Sequence, residues 1–124
     1  MVLVDTSVWI RALSGVQTYR SGLDELLSKD EVLGHDFVYG ELLVGDRGGR
    51  RAFLAAYALM HWASVVPHGE VISLVKGRRL HGQGIGWIDA HLLASALVQG
   101  AALWTADEAL RKVARVVGLA PTDR

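Results

Sequence analysis

Four acidic side chains, Asp5, Glu41, Asp89 and Asp107, are the residues of this chain whose types and positions point to chemistry. Asp5 directly follows the apolar run Met1 to Val4, and Asp107 follows Ala101 to Trp104 after the short link Thr105-Ala106. Glu41 and Asp89 fall on helix-like stretches. Phe37, Val38 and Val44 are the face neighbours of Glu41, and Leu92, Leu93, Ala96 and Leu97 share the side of Asp89. Only Asp107 has a basic residue at helical spacing, Arg111. Burying a bare carboxylate is costly, and several in one pocket raise each other's pKa values. A bound cation removes that penalty. An all-oxygen ligand set favours magnesium or manganese over zinc. An ion of that kind lowers the pKa of a bound water and stabilises charge on a phosphate ester. Hydrolysis of a phosphodiester in nucleic acid is the reaction that fits.

Each acid also has a plain structural reading. Asp5 and Asp107 each open a helix, where Asp is a favoured N-cap. Asp89 lies in a first helical turn, where the dipole favours an acid. Glu41 sits mid-helix among apolar neighbours and is expected to point inward, which makes it the hardest to explain without a function. Ser7 and Thr105 lie beside Asp5 and Asp107, positioned either to orient a ligand or water or to cap the helix starts.

The elements that must position these residues alternate between strands and helices. Met1 to Val4, Glu31 to Gly34, Ser64 to Pro67 and Ala101 to Trp104 read as strands. Thr6 to Leu13, a stretch around Tyr19 to Leu27, Asp36 to Val44, Ala52 to Met60, Gly69 to His81, Trp87 to Val98 and a last segment through about Val117 read as helices. The helix Ala52 to Met60 is apolar nearly all round and is expected to be largely buried. Gly100 is positioned to cap the helix before it. Gly45 to Arg50 is a turn, and Gly82 to Gly86 is a glycine-rich loop without the Lys-Ser/Thr ending of a nucleotide-binding loop. This order predicts an α/β fold, with a parallel sheet covered on both faces. In such folds ligands gather outside the carboxyl ends of the strands.

The chain has 124 residues, 51% hydrophobic, which predicts one domain over residues 1–124 and excludes a disordered chain. Its formal net charge is zero, so any hold on nucleic acid must come from local patches. The candidates are Arg47, Arg50 and Arg51, the group Lys76, Arg78 and Arg79, and the group Arg111, Lys112 and Arg115. There is no cysteine, which excludes a disulfide scaffold and a thiolate zinc site and agrees with a cytoplasmic location. No signal peptide is readable and no apolar run is long enough to span a membrane. The five histidines, His35, His61, His68, His81 and His91, form no zinc-binding spacing and read as polar or core-edge residues.

Val2-Leu3-Val4-Asp5-Thr6-Ser7-Val8-Trp9-Ile10 resembles the opening motif of PIN-domain ribonucleases, specifically the VapC-type toxins of bacterial toxin–antitoxin pairs. Phe37-Val38-Tyr39-Gly40-Glu41-Leu42 resembles that family's central glutamate motif. Gly84 to Ala96 and Leu103-Trp104-Thr105-Ala106-Asp107 resemble its third and fourth. The resemblance implies a three-layer α/β/α fold with a parallel sheet of four or five strands. It implies a metal-dependent endoribonuclease that uses Mg²⁺ or Mn²⁺ to cleave RNA, with Asp5 and Asp89 as principal metal ligands and Glu41 and Asp107 completing the site, Asp107 directly on the metal or through water. It also implies a homodimer and a cognate VapB-type antitoxin that covers the site. Two departures stand out: Arg11-Ala12 where the family often carries an acidic or histidine pair, and Ala106 where it often has Arg. A non-catalytic scaffold of the same fold and a phospho-acceptor signalling domain are the rival readings. The second would need paired acids after the first strand, and Asp5 stands alone there.

Overall fold

Short apolar runs and amphipathic helices sort this chain into a parallel sheet with helices packed on it. The computed structural model describes residues 1–119. In chain order the elements are β1 (Val2–Val4), α1 (Thr6–Leu13), α2 (Gln17–Ser28), β2 (Val32–Gly34), α3 (Asp36–Val44), α4 (Arg51–Ala58), β3 (His61–Trp62), α5 (His68–Gly77), α6 (Trp87–Gln99), β4 (Ala102–Trp104) and α7 (Glu108–Val116). Four strands form one sheet in the order β3-β2-β1-β4, with every pairing parallel. Parallel neighbours need long crossovers, and the helices between the strands supply them, giving the three-layer α/β/α arrangement.

β1 sits inside the sheet, with Leu3 paired to Leu33 on one side and Leu103 on the other. A strand covered on both faces needs an unbroken apolar run, and Val2, Leu3 and Val4 are all buried. The main core joins them to Val8, Trp9, Leu33, Val38, Leu92, Leu93, Leu103 and Leu110. Truncating a fully buried leucine such as Leu103 to alanine costs about 2–5 kcal/mol. A smaller cluster of Val66, Val71, Ala90 and Ala94 seals α5 against α6. The α6 helix ends at Gly100, whose φ of 65° is the left-handed C-cap conformation that glycine adopts at least cost.

Two expectations about these elements are corrected. The third strand is His61–Trp62, and Ser64 to Pro67 runs as coil, because a two-residue pairing with Leu33 and Gly34 exhausts the length of β2 that remains. Helix α4 is not largely buried: Leu54 and Tyr57 face inward, while Ala52, Ala55, Ala56, Ala58 and Leu59 face solvent. Alanine is a strong helix former that tolerates exposure, so an apolar composition there does not mark burial. Among the described residues no helix is long and apolar enough to cross a membrane.

Candidate active site

The strand order fixes where a site can form. From β1 the chain moves outward through β2 and β3, then returns to lay β4 on the other side of β1. The carboxyl ends of β1 and β4 are therefore the place where the winding reverses, which is where open α/β sheets bind ligands. Asp5 leaves the end of β1, and Thr105 and Asp107 leave the end of β4.

Asp5 occupies the N-cap of α1, yet its side chain makes no cap hydrogen bond. It is 6% exposed, and its Oδ2 instead accepts from Ser7 Oγ at 2.6 Å and Thr105 Oγ1 at 2.8 Å. Both hydroxyl protons are thus committed to Asp5, so the 3.3 Å separation of the two hydroxyl oxygens is a close approach rather than a bond. Each hydroxyl in turn accepts a backbone N–H, Ser7 from Ala106 and Thr105 from Asp107, both at 3.0 Å. Ser7 and Thr105 thus grip one oxygen of Asp5, Oδ2, while each also takes a backbone N–H near the start of α7.

Asp107 behaves differently. It is exposed, and its Oδ1 accepts from Ala109 N at 2.9 Å, capping α7. Arg111, its expected partner, donates to Glu108 at 2.9 Å and to the Thr105 carbonyl at 3.2 Å. Asp89 stands in the first turn of α6, where Oδ2 accepts from Gly86 N at 2.9 Å and ties the glycine-rich loop to the helix. Its pKa is raised, first by burial, and further by the charges of Asp5, Asp107 and Glu41, while the Gly86 N–H opposes the rise. Asp89 therefore lies within electrostatic reach of the other three acids.

Glu41 corrects an expectation. It is exposed, because α3 turns Val38 and Leu42 into the core and leaves Val44 87% exposed. Its apolar neighbours Phe37 and Val44 line an open groove of about 680 Å³ with Glu41, Gly40, Trp87 and Ile88. Glu41 is nonetheless held toward the crevice, since Thr6 Oγ1 donates to its Oε1 at 2.7 Å. Sequence reasoning did not assign Thr6 this task, although its place between Asp5 and Ser7 was the available signal.

The histidines also divide differently from the expectation that all five sit at the polar or core edge. His35 is fully buried at the end of β2. Its Nδ1 accepts from Phe37 N at 3.0 Å, capping α3, and its Nε2 lies 2.9 Å from Ser95 Oγ. Ser95 spends its own proton on the Ser64 carbonyl at 2.8 Å, so His35 is the Nε2–H tautomer and neutral. Burial lowers its pKa to about 4, partly offset by Asp36 and reinforced by His91. His91 is also buried, whereas His61 is exposed and pairs with Asp30 at 2.8 Å.

Among the described residues, no three His, Asp or Glu side chains are drawn together tightly enough to hold an ion by themselves. Magnesium commonly uses one or two carboxylates and completes its shell with water and substrate phosphate. Asp5 Oδ1 with a crowded, raised-pKa Asp89 is a donor set of that chemistry.

The PIN-domain family model matches residues 2–116. This chain belongs to the PIN-domain family. Ribonuclease VapC32 from two Mycobacterium tuberculosis strains, CDC 1551 / Oshkosh and H37Rv, is 45% identical over 121 residues, covering 97% of this chain and 95% of the relative. It places the PIN domain described here with the VapC-type proteins. The crystal structure of PAE2754 from Pyrobaculum aerophilum shares the fold, with a TM-score of 0.57 at 18% identity over 90% of this chain and 82% of that one.

Proposed function

We propose that this protein is a metal-dependent endoribonuclease toxin that hydrolyses RNA phosphodiester bonds. The observation that carries the reading is Asp5: a buried carboxylate at the switch point, excused from helix capping, steadied by Ser7 and Thr105, and close enough to Asp89 that its charge helps raise the Asp89 pKa. RNA as the substrate is supported by the ribonuclease name of relatives at 45% identity.

In this reading Asp5 and Asp89 hold Mg²⁺ or Mn²⁺, and Asp107 completes the surroundings directly or through water. The bound ion supplies Lewis acidity toward the phosphate and lowers the pKa of a water. Ser7 and Thr105 fix the Asp5 carboxylate so that its second oxygen keeps one direction. Glu41, steered by Thr6, orients a water or a ligand at the edge of the crevice. Water attacks phosphorus in line, and the 3′ oxygen departs and takes up a proton, leaving a 5′ phosphate and a 3′ hydroxyl. A VapB-type antitoxin segment covers the site, a role that the apolar groove of Phe37, Val44, Trp87 and Ile88 beside Glu41 supports. The protein acts as a homodimer, which sedimentation of the purified chain tests directly.

The deciding experiment exposes total cellular RNA to purified protein in EDTA, Mg²⁺ or Mn²⁺. Discrete cleavage with metal and none with EDTA is expected. Intact RNA under all three conditions would leave a non-catalytic scaffold, and phosphoryl transfer from acetyl phosphate would favour the signalling rival.

A further inference from the structure

Two of the basic groups that lie far apart in sequence meet in one pocket. Arg78, Arg79, Leu80 and Gln83 from the turn after α5 form one wall, and Lys112, Val113 and Val116 of α7 form the other, around a cavity of about 210 Å³. Among the described residues no carboxylate lines it. Among the described residues no acid pairs with Arg78, Arg79 or Lys112, whereas Arg111 is engaged by Glu108. Arg79 holds a φ of 54°, a left-handed conformation that side chains other than Gly, Asn and Asp adopt at a cost.

Both walls belong to segments that also carry acids of the candidate site. The turn that carries Arg78 and Arg79 continues through Gly84 and Gly86 to Asp89. Gly84 lies against Ala109, where an added Cβ would stand 3.4 Å from the Ala109 Cβ. Ala109, Lys112, Val113 and Val116 occupy one face of α7 at helical spacing, and that face starts where Asp107 caps Ala109. Lys112 lies five residues beyond Asp107, about 7.5 Å further along the helix axis at 1.5 Å per residue. A neutral protein that binds a polyanion needs its positive charge beside the site rather than spread over its surface.

We infer that Arg78, Arg79 and Lys112 form a second subsite that binds RNA backbone phosphates flanking the bond cut in the acidic crevice. The inference rests on the nuclease reading of that crevice. The subsite is sequence-independent, because it reads phosphates and not base edges.

The test uses the double variant Arg79→Asn with Lys112→Gln, in which Asn tolerates the left-handed backbone and both charges are lost. Lys29→Gln, which removes an exposed lysine paired with Glu25, is the control. Binding is read by anisotropy of a labelled 20-nucleotide single-stranded RNA of mixed sequence at several salt concentrations, with Asp89→Asn present in every protein to prevent cleavage. Each lost phosphate contact lowers the salt slope by about 0.7 on single strands, so a drop of about 1.4 is expected for the pair and none for Lys29→Gln. In the cleaving background, KM for the RNA identified from total-RNA digestion rises and kcat holds. An unchanged slope and KM with the parent still cleaving overturns the subsite alone, and would leave the pocket to an acidic protein segment. A parent that cuts no RNA in Mg²⁺ or Mn²⁺ overturns the nuclease reading instead.

Discussion

β1 and β2 lie side by side in the sheet, and each ends in a buried polar residue that opens a helix, Asp5 after one and His35 after the other. His35 spends both ring nitrogens inside the fold, one on the cap of α3 and one on Ser95. Asp5 spends nothing on its cap and receives two hydroxyls on a single oxygen. Asp107, after β4, stands between them, with one oxygen capping α7 and its side chain in solvent. Position at a strand end is common to all three. On the proposed function, what separates a residue kept for structure from one left for chemistry is how much of its bonding capacity the fold has already used.

The largest effect expected from this contrast is at Asp5 and Asp89. Metal-assisted stabilisation of the transferred phosphate is worth several kcal/mol, and each ~1.4 kcal/mol is tenfold in rate. Asp5→Asn or Asp89→Asn should therefore cut RNA cleavage by roughly a thousandfold or more, with unchanged circular dichroism. Cleavage at the parental rate in Asp5→Asn would return Asp5 to the ranks of ordinary strand-end residues, and the same result in Asp89→Asn would remove Asp89 from the metal-binding set. In EDTA, Asp89→Asn should melt above the parent at neutral pH and match it in acid. The raised folded pKa of Asp89 means that its stability contribution is lost as pH rises beyond the ordinary carboxylate range.

His35 should show the opposite sign. Its folded pKa is lowered to about 4, so its contribution is complete above the unfolded value near 6.5 and is lost as pH falls between the two. At about 1.4 kcal/mol per pKa unit the loss is on the order of 3 kcal/mol. Denaturant unfolding at pH 7, 5.5 and 4 measures it. His35→Asn, which keeps an N-capping side chain, should flatten that dependence. An equally steep dependence in the variant would mean that His35 is not the buried neutral group.

Smaller effects sharpen the picture at the other two strand ends. Ser7→Ala and Thr105→Val each remove a hydrogen bond to a charged acceptor, worth about 1.5–3 kcal/mol. Each should slow cleavage about tenfold, with a double variant that loses less than the product, because both act on one oxygen. At Asp107 the two roles can be parted. Asp107→Ser keeps a capping oxygen and should retain stability while cleavage falls, whereas Asp107→Ala should also lose about 1 kcal/mol of stability. Full activity in Asp107→Ser would make that acid a cap and nothing more.

Much of this was legible in the sequence, for reasons that differ by residue. Asp5 and Asp107 could be placed because an apolar run followed by an acid and a helix fixes a strand end. The helices at Thr6–Leu13 and Asp36–Val44 fell where periodicity put them. The direction of Glu41 was not legible, since α3 carries apolar residues on both its inner and outer faces, and the outer ones line a groove. His35 was equally hidden: its partners Tyr57 and Ser95 lie 22 and 60 residues away, and nothing local marks them. β3 was misplaced because two residues are too few to carry an alternating pattern.

The bond between Thr105 and Asp5 joins residues 100 positions apart. A polypeptide broken off at Gly100 still owns Asp5, Glu41 and Asp89, yet has neither the strand that flanks β1 on its open side nor the hydroxyl that reaches across from it. Synthesis must pass that point before Asp5 can take the pose it holds in the complete fold, so on the proposed function an unfinished chain would lack a positioned metal ligand.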